Sequence, residues 1–177
     1  MRIISGKYRG KKLKEFDIST TKPTTDKVKE SIFNLIQFDV AGSIVLDLFS
    51  GTGALGVEAI SRGALKTFMV DVNTKAINLI KENVKGIDGD FVIIHQDYLT
   101  FLKNTNQKFD IVLLDPPYKT DFGPNAINML IKNNLLTESA IIIFETSVEN
   151  NFEINYENFN VSTKKYGSVL VYKLVKE

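Results

Sequence analysis

The stretch Asp47-Leu48-Phe49-Ser50-Gly51-Thr52-Gly53-Ala54-Leu55-Gly56 begins inside a short apolar run and leads into a helical pattern. Gly51 and Gly53 permit a tight turn and a close approach of the backbone to a ligand. Together with Gly56 they match the spacing G-x-G-x-x-G, and Asp71 lies 20 residues beyond Gly51, as in dinucleotide-binding proteins. The stretch therefore predicts a strand, a ligand-binding turn and a helix in direct succession.

Four more apolar runs surround this unit. With residues 44–48, the runs at 67–70, 91–94, 111–114 and 140–144 predict buried parallel strands, because strands covered on both faces are almost continuously apolar. Apolar residues between them repeat at helical spacing, at Ala76, Ile77, Ile80 and Val84 and again at Ile127, Leu130 and Ile131. The pattern is typical of an α/β fold with a doubly wound, Rossmann-like sheet. Residues 159–163 and 168–175 flank a turn and predict an antiparallel hairpin at the sheet edge.

Residues 1–40 precede the core at 41–177 and differ from it in pattern and charge. Residues 2–5 and 11–16 predict a small basic hairpin, and Thr25 is placed to cap a helix whose buried face carries Val28, Ile32, Leu35 and Ile36. Residues 1–30 carry nine lysines and arginines against four acids, which leaves 13 basic and 17 acidic residues beyond position 30. This asymmetry predicts that the N-terminal region meets an anionic partner.

The composition excludes several kinds of chemistry. The 177 residues include no cysteine, which excludes disulfides, thiolate metal sites, cysteine nucleophiles and methylation of ring carbons through a cysteine adduct. His95 is the single histidine, so a site with several histidine ligands is excluded, and we interpret His95 as a strand-end residue. The apolar runs are too short to cross a bilayer. We expect a cytoplasmic, monomeric protein that requires no metal and no membrane.

Three acids lie at or just beyond the carboxyl ends of predicted strands, at the edge where parallel sheets bind ligands. The charge of Asp47 would oppose a pyrophosphate but would pair with the ammonium of S-adenosylmethionine, which favours this cofactor over NAD. Asp71 is placed to accept both ribose hydroxyls and Asp97 to accept the adenine amino group, unless the two acids only cap the helices that follow. The predicted cofactor site comprises Asp47, Phe49, Ser50, Gly51, Thr52, Gly53, Gly56, Asp71, Asp97 and Tyr98.

The fourth strand leads into Asp115-Pro116-Pro117-Tyr118, which predicts the catalytic loop. The second proline holds Pro116 in an extended conformation, so the Pro116 carbonyl and the Asp115 carboxylate are two acceptors at one place. Two acceptors suit an exocyclic amino group, whose lone pair they would aim at a methyl donor. Tyr118 offers a ring on which an extracted base would stack.

Residues 47–53 and 115–118 together resemble amino-methylating enzymes. The stretch Lys22-Pro23-Thr24-Thr25-Asp26-Lys27-Val28-Lys29-Glu30, after Met1-Arg2-Ile3-Ile4-Ser5-Gly6 and Tyr8-Arg9-Gly10, is similar to the RsmD family of bacterial ribosomal RNA guanine-N2 methyltransferases. The similarity covers nearly the whole chain, with lysine at positions 22, 27 and 29 where arginines are usual. The resemblance implies that the substrate is the 2-amino group of a guanine in 16S ribosomal RNA, within a 30S particle, and that Asp115 and Tyr118 line the base pocket.

The resemblance also changes how the basic N-terminal residues are interpreted. Without it, they would be read as a solvated face. With it, RNA contact is predicted for Arg2, Lys7, Arg9, Lys11, Lys12, Lys22, Thr24, Thr25 and Lys27.

Three alternatives stay open at this point. An amino methyltransferase for a DNA base or a protein glutamine would share the cofactor loop, although such enzymes often carry Asn in place of Asp115. An NAD-dependent oxidoreductase would share the glycine pattern. An RNA-binding assembly factor without catalytic activity would share the basic N-terminal region.

Overall fold

A computed structural model describes residues 1–16, 25–150 and 152–177. Helices and strands alternate along most of this chain. The helices are α1 (Asp26–Leu35), α2 (Ala54–Ser61), α3 (Thr74–Asn83), α4 (Tyr98–Asn104) and α5 (Phe122–Lys132). The strands are β1 (Ile44–Leu48), β2 (Lys66–Asp71), β3 (Phe91–His95), β4 (Phe109–Leu114), β5 (Leu136–Ser147), β6 (Phe159–Tyr166) and β7 (Val169–Lys176).

The seven strands form one sheet in the order β3-β2-β1-β4-β5-β7-β6. Strands β1 to β5 are parallel, and β7 pairs antiparallel with both β5 and β6. The doubly wound sheet and the C-terminal hairpin at its edge are therefore confirmed. Strand β5 runs for 12 residues and ends at Ser147, three residues beyond the predicted strand at 140–144.

Apolar side chains fill both faces of the sheet, which explains why the central strands are almost continuously apolar. One core includes residues of α1, α2 and α3, and the other includes residues of α4 and α5. The predicted helical stripes are largely confirmed, but the placement of Ile131 on a buried stripe is wrong because this residue is 37% exposed. Phe33, which the α1 stripe omitted, is fully buried.

The N-terminal residues form the predicted hairpin in reduced form, with a single bridge between Arg2 and Lys12. The amide of Ile3 donates to the carbonyl of Lys11 at 2.9 Å. The cap of α1 is confirmed, since the amide of Val28 donates to Thr25 Oγ1 at 3.3 Å. Lys29 differs from the expectation, because its side chain is completely buried and does not contribute to a basic surface.

Residues 1–16, which we call the N-terminal arm, are fixed to helix α2. The amides of Ile4 and Ser5 donate to the Glu58 carboxylate at 2.8 and 3.0 Å. A Cβ atom on Gly6 would lie 1.7 Å from the carbonyl oxygen of Ser61, so only glycine fits at this contact. These contacts fix the arm to the second half of α2.

Within the described part of the chain, no helix combines the length and the apolar character that crossing a membrane requires.

Candidate active site

A cavity of about 820 Å³ lies at the carboxyl ends of the parallel strands. Eleven residues that the sequence singled out line it together: Phe49, Ser50, Gly51, Thr52, Asp71, Asp97, Tyr98, Asp115, Pro116, Pro117 and Tyr118. The two predicted loops thus meet in one space. Three members of the predicted cofactor set, Asp47, Gly53 and Gly56, do not line it.

The glycines of the turn serve two different purposes. Gly51 has a φ of 55°, and a Cβ atom there would meet no atom within 4 Å, so the backbone is open towards the cavity. By contrast, a Cβ on Gly53 would lie 2.7 Å from Met69 Cε, and one on Gly56 would lie 2.8 Å from the same atom. Gly53 and Gly56 therefore allow α2 to pack closely on β2, and Gly51 forms the ligand-facing backbone.

Asp47 lies beneath the turn, where only 1% of its surface is exposed. The hydroxyl of Ser50 and the amide of Gly56 both donate to its Oδ2, at 2.6 and 2.9 Å. Burial raises the pKa of Asp47 to about 7, and these two donors oppose the rise. The carboxylate therefore holds the shape of the turn from below, and its contact with a ligand stays a prediction.

Asp71 and Asp97 lie in the cavity wall and also support the backbone. Asp71 accepts the amides of Gly51 and Asn73, both at 2.8 Å, and so ties the glycine turn to the end of β2. Asp97 accepts the amide of Thr100 at 3.0 Å as the cap of α4, and hydrogen bonds from the hydroxyl and then the amide of Thr100 lower the pKa of Asp97. The cap interpretation of Asp97 is therefore observed, and its carboxylate still borders the cavity. His95 ends β3 as expected, with an exposed ring.

An aromatic cluster forms one wall of the cavity. The ring centroids of Phe49 and Tyr98 are 5.0 Å apart, and Phe122 lies 6.1 and 5.1 Å from them. Phe122 was not predicted, because it belongs to the next helix and no pattern connects it to the glycine turn. The three rings provide an apolar surface suited to a flat heterocycle.

The catalytic loop is held by strand β5. The hydroxyl of Tyr118 donates to Glu145 Oε1 at 2.6 Å, and the side-chain amide of Asn150 donates to the Tyr118 carbonyl. Burial, followed by the negative charge of Glu145, raises the pKa of Tyr118, so its hydroxyl stays protonated. Tyr118 is therefore fixed at both ends and can present its ring to a substrate.

The N-terminal arm borders the same cavity through Met1, Glu15 and Phe16, none of which the sequence indicated. Among the predicted RNA-binding residues, the side chains of Arg2, Lys7, Arg9, Lys12, Thr25 and Lys27 are exposed and Lys11 is half-buried. Lys22 and Thr24 lie outside the described residues. Two of the exposed cations have acidic neighbours, since Lys7 lies 3.4 Å from Asp88 and Arg2 lies 3.9 Å from Asp26.

The described residues contain no group of three or more histidine, aspartate or glutamate side chains that could hold a metal ion. The polar residues that border the cavity carry carboxyl, hydroxyl and side-chain amide groups, the last in Asn73 and Gln96.

Comparison with known proteins identifies the family. A family model described as conserved hypothetical protein 95 matches residues 1–175. The ribosomal RNA small subunit methyltransferase D of Haemophilus influenzae is 35% identical over 98% of this chain and 92% of that protein, and the protein of the same name from Escherichia coli is 31% identical over 98% and 88%. The solved structure of yhhF from Escherichia coli has a TM-score of 0.91 at 30% identity and covers 100% of this chain and 98% of that one. The chain therefore has a Rossmann-like methyltransferase fold and belongs to the family of the ribosomal RNA small subunit methyltransferase D proteins.

Proposed function

We propose that this protein transfers a methyl group from S-adenosylmethionine to the 2-amino group of a guanine in 16S ribosomal RNA, within a 30S particle. One observation carries the proposal: the glycine turn and the Asp115–Tyr118 loop border the same cavity. The names of the family members support a ribosomal RNA substrate.

The cavity fits the cofactor in shape and in chemistry. The aromatic wall of Phe49, Tyr98 and Phe122 suits the adenine ring, and the Asp71 carboxylate keeps free lone pairs for the ribose hydroxyls. The open backbone at Gly51 allows close approach of the amino-acid part. When bound, S-adenosylmethionine supplies a methyl group on a sulfonium, which is already a good leaving group.

The protein's own residues hold the acceptor. The Asp115 carboxylate and the carbonyl of Pro116 each accept a hydrogen bond from one N–H group of the guanine amino group, and this directs the nitrogen lone pair towards the methyl donor. Such positioning lowers the activation barrier of a reaction between two partners by up to roughly 7–11 kcal/mol, so no strong base is required. The ring of Tyr118, fixed by Glu145, stacks on the base. Asp115 or water takes the proton once the nitrogen becomes cationic.

The test is transfer of labelled methyl from S-adenosylmethionine to 30S particles that lack the native modification, followed by mapping of the modified nucleotide. We expect label on a guanine, at the 2-amino nitrogen. Free 16S RNA, duplex DNA and a protein-glutamine substrate are tested in parallel. Label that appears only on DNA or protein contradicts the proposal, and so does thermal protection of the protein by NAD but not by S-adenosylmethionine.

A further inference from the structure

We propose that the turn between β6 and β7 is a second RNA-contact element, in which Lys164 and Lys165 bind phosphates beside the target base. This inference rests on the proposed function, because it concerns the same RNA at the same cavity. The sequence placed the RNA contacts in residues 1–30 alone.

The register of the sheet places the turn beside the catalytic loop. Glu145, which fixes the hydroxyl of Tyr118, pairs with Val171, and Val171 pairs with Lys164. Two strand spacings put the Cα atoms of Glu145 and Lys164 about 10 Å apart. Lys165 occupies the next position, towards the turn at Gly167.

The turn also extends beyond the carboxyl end of β4. Leu114, the last residue of β4, pairs with Phe144, whereas β5 continues to Ser147, which pairs with the first residue of β7. Three further residues extend the strand by about 10 Å. The tip of the hairpin therefore extends past the carboxyl end of β4, on the same side of the sheet as the catalytic loop.

Positive charge is concentrated in the two strands and the turn of the hairpin. Residues 159–176 contain four lysines and no acid, in a chain with 21 acidic residues. Lys173 donates to the carbonyl of Leu35 at 2.7 Å, and Lys176 lies at the far end of the hairpin, opposite Phe159. Lys164 and Lys165 are exposed, and neither forms an ion pair with a described carboxylate.

The two lysines point to opposite faces of the sheet. Lys164 pairs with Val171, which packs in the same core as Val28 and Ile32 of α1, so Lys164 lies on the face that carries the N-terminal arm. Lys165 pairs with Leu170, which packs against the other core. The two lysines therefore place positive charge on both faces of the hairpin near its tip, and Lys164 lies on the same face of the sheet as the basic N-terminal arm.

Charge of this kind favours a polyanion over a protein partner. A nucleotide whose base enters the cavity brings its neighbours with it, and these lie roughly 3–4 Å apart along a stacked strand. Lys164 lies about 10 Å from Glu145 and, one more strand spacing away, about 15 Å from the end of β4 that leads into the base-holding loop, which is the span of about four stacked nucleotides.

The experiment compares the double variant Lys164→Ala/Lys165→Ala with the control Lys103→Ala/Lys132→Ala. The control removes the same amount of charge, but from exposed lysines in the last turns of α4 and α5, which lie near the amino ends of the parallel strands and away from the cavity. Binding of 16S RNA, free and within 30S particles, is measured between 50 and 300 mM salt, and methyl transfer is measured separately. Thermal unfolding of both variants verifies that they are folded.

Loss of two phosphate contacts should weaken binding about 15- to 30-fold at 0.15 M salt and make the log–log salt slope shallower by about 1.4–1.8. The KM for the particle should rise while kcat stays unchanged. Binding equal to that of the control overturns the inference, even if methyl transfer to RNA is observed. A selective loss of binding supports it, even if no methyl transfer is found, in which case the proposed function alone fails.

Discussion

The Glu58 carboxylate is the centre of a buried charge cluster, and its removal should destabilise the protein strongly. Glu58 and Lys29 are both fully buried, with Lys29 Nζ 3.0 Å from Glu58 Oε2. Arg62 Nε donates to Oε1 at 2.8 Å, and the same carboxylate accepts two backbone amides of the N-terminal arm. The variant Glu58→Ala leaves a buried ammonium without its counter-ion and removes the acceptor that fixes the arm.

Breaking a buried ion pair by removing one partner costs about 3–5 kcal/mol. For a domain of this size, each kcal/mol of unfolding free energy changes the Tm by about 2–4 °C, so we expect a loss of roughly 6–20 °C. The measurements are urea unfolding and thermal melting. The matched control is Asp88→Ala, which removes an exposed carboxylate 3.4 Å from Lys7 and should leave the midpoint unchanged within error.

A double-mutant cycle separates the ion pair from simple loss of packing. Replacing both partners, as Glu58→Gln with Lys29→Met, removes the charge and its counter-ion together, so the double variant should lose less free energy of unfolding than the two single variants combined. A loss below about 1 kcal/mol in Glu58→Ala, or strictly additive losses in the cycle, would refute this reasoning.

Three further predictions concern the active site. Burial raises the pKa of Asp47 to about 7, above that of the unfolded chain, so the free energy of unfolding should fall as the pH rises from about 4 to 7. Asp47→Asn has no titrating carboxyl group and should flatten this slope, as measured by urea unfolding at each pH. Asp115→Ala should reduce the rate of methyl transfer by roughly 10²–10³ without changing the Tm, and near-normal turnover would contradict its role as an acceptor. Tyr118→Phe keeps the stacking ring but removes a hydrogen-bond donor from the buried Glu145, so the variant should lose about 1–3 kcal/mol of unfolding free energy while kcat changes by only a few-fold. An equal loss of turnover in Tyr118→Phe and Tyr118→Ala would contradict the stacking role of the ring.

Local patterns were sufficient to predict the central sheet and the two loops of the cavity. Strand β1 begins and ends where the apolar run predicted, because a strand buried on both faces leaves a continuous apolar signal. The cap of α1 at Thr25 was likewise visible, since capping depends on residues three positions apart. Such features depend on neighbours in the sequence.

Contacts between distant segments were not predictable. Lys29 appeared to be one of several surface cations, and only the approach of Glu58, 29 residues later, makes it a buried residue. The same holds for Phe122 in the aromatic wall and for Met1 in the arm, whose positions depend on how helices and loops pack. No local pattern distinguishes a buried lysine from an exposed one when its counter-ion lies on another helix.

Strand length explains why Glu145 escaped prediction. The apolar run ends at Phe144, so a glutamate next in sequence indicates a strand end, yet pairing with β7 continues through Ser147. Backbone hydrogen bonds to an antiparallel neighbour prolong the strand beyond its own apolar signal and carry Glu145 to the hydroxyl of Tyr118. Because the same pairing aligns Lys164 with Glu145 across β7, one feature of the C-terminal hairpin both fixes the catalytic loop and places positive charge two strands from it.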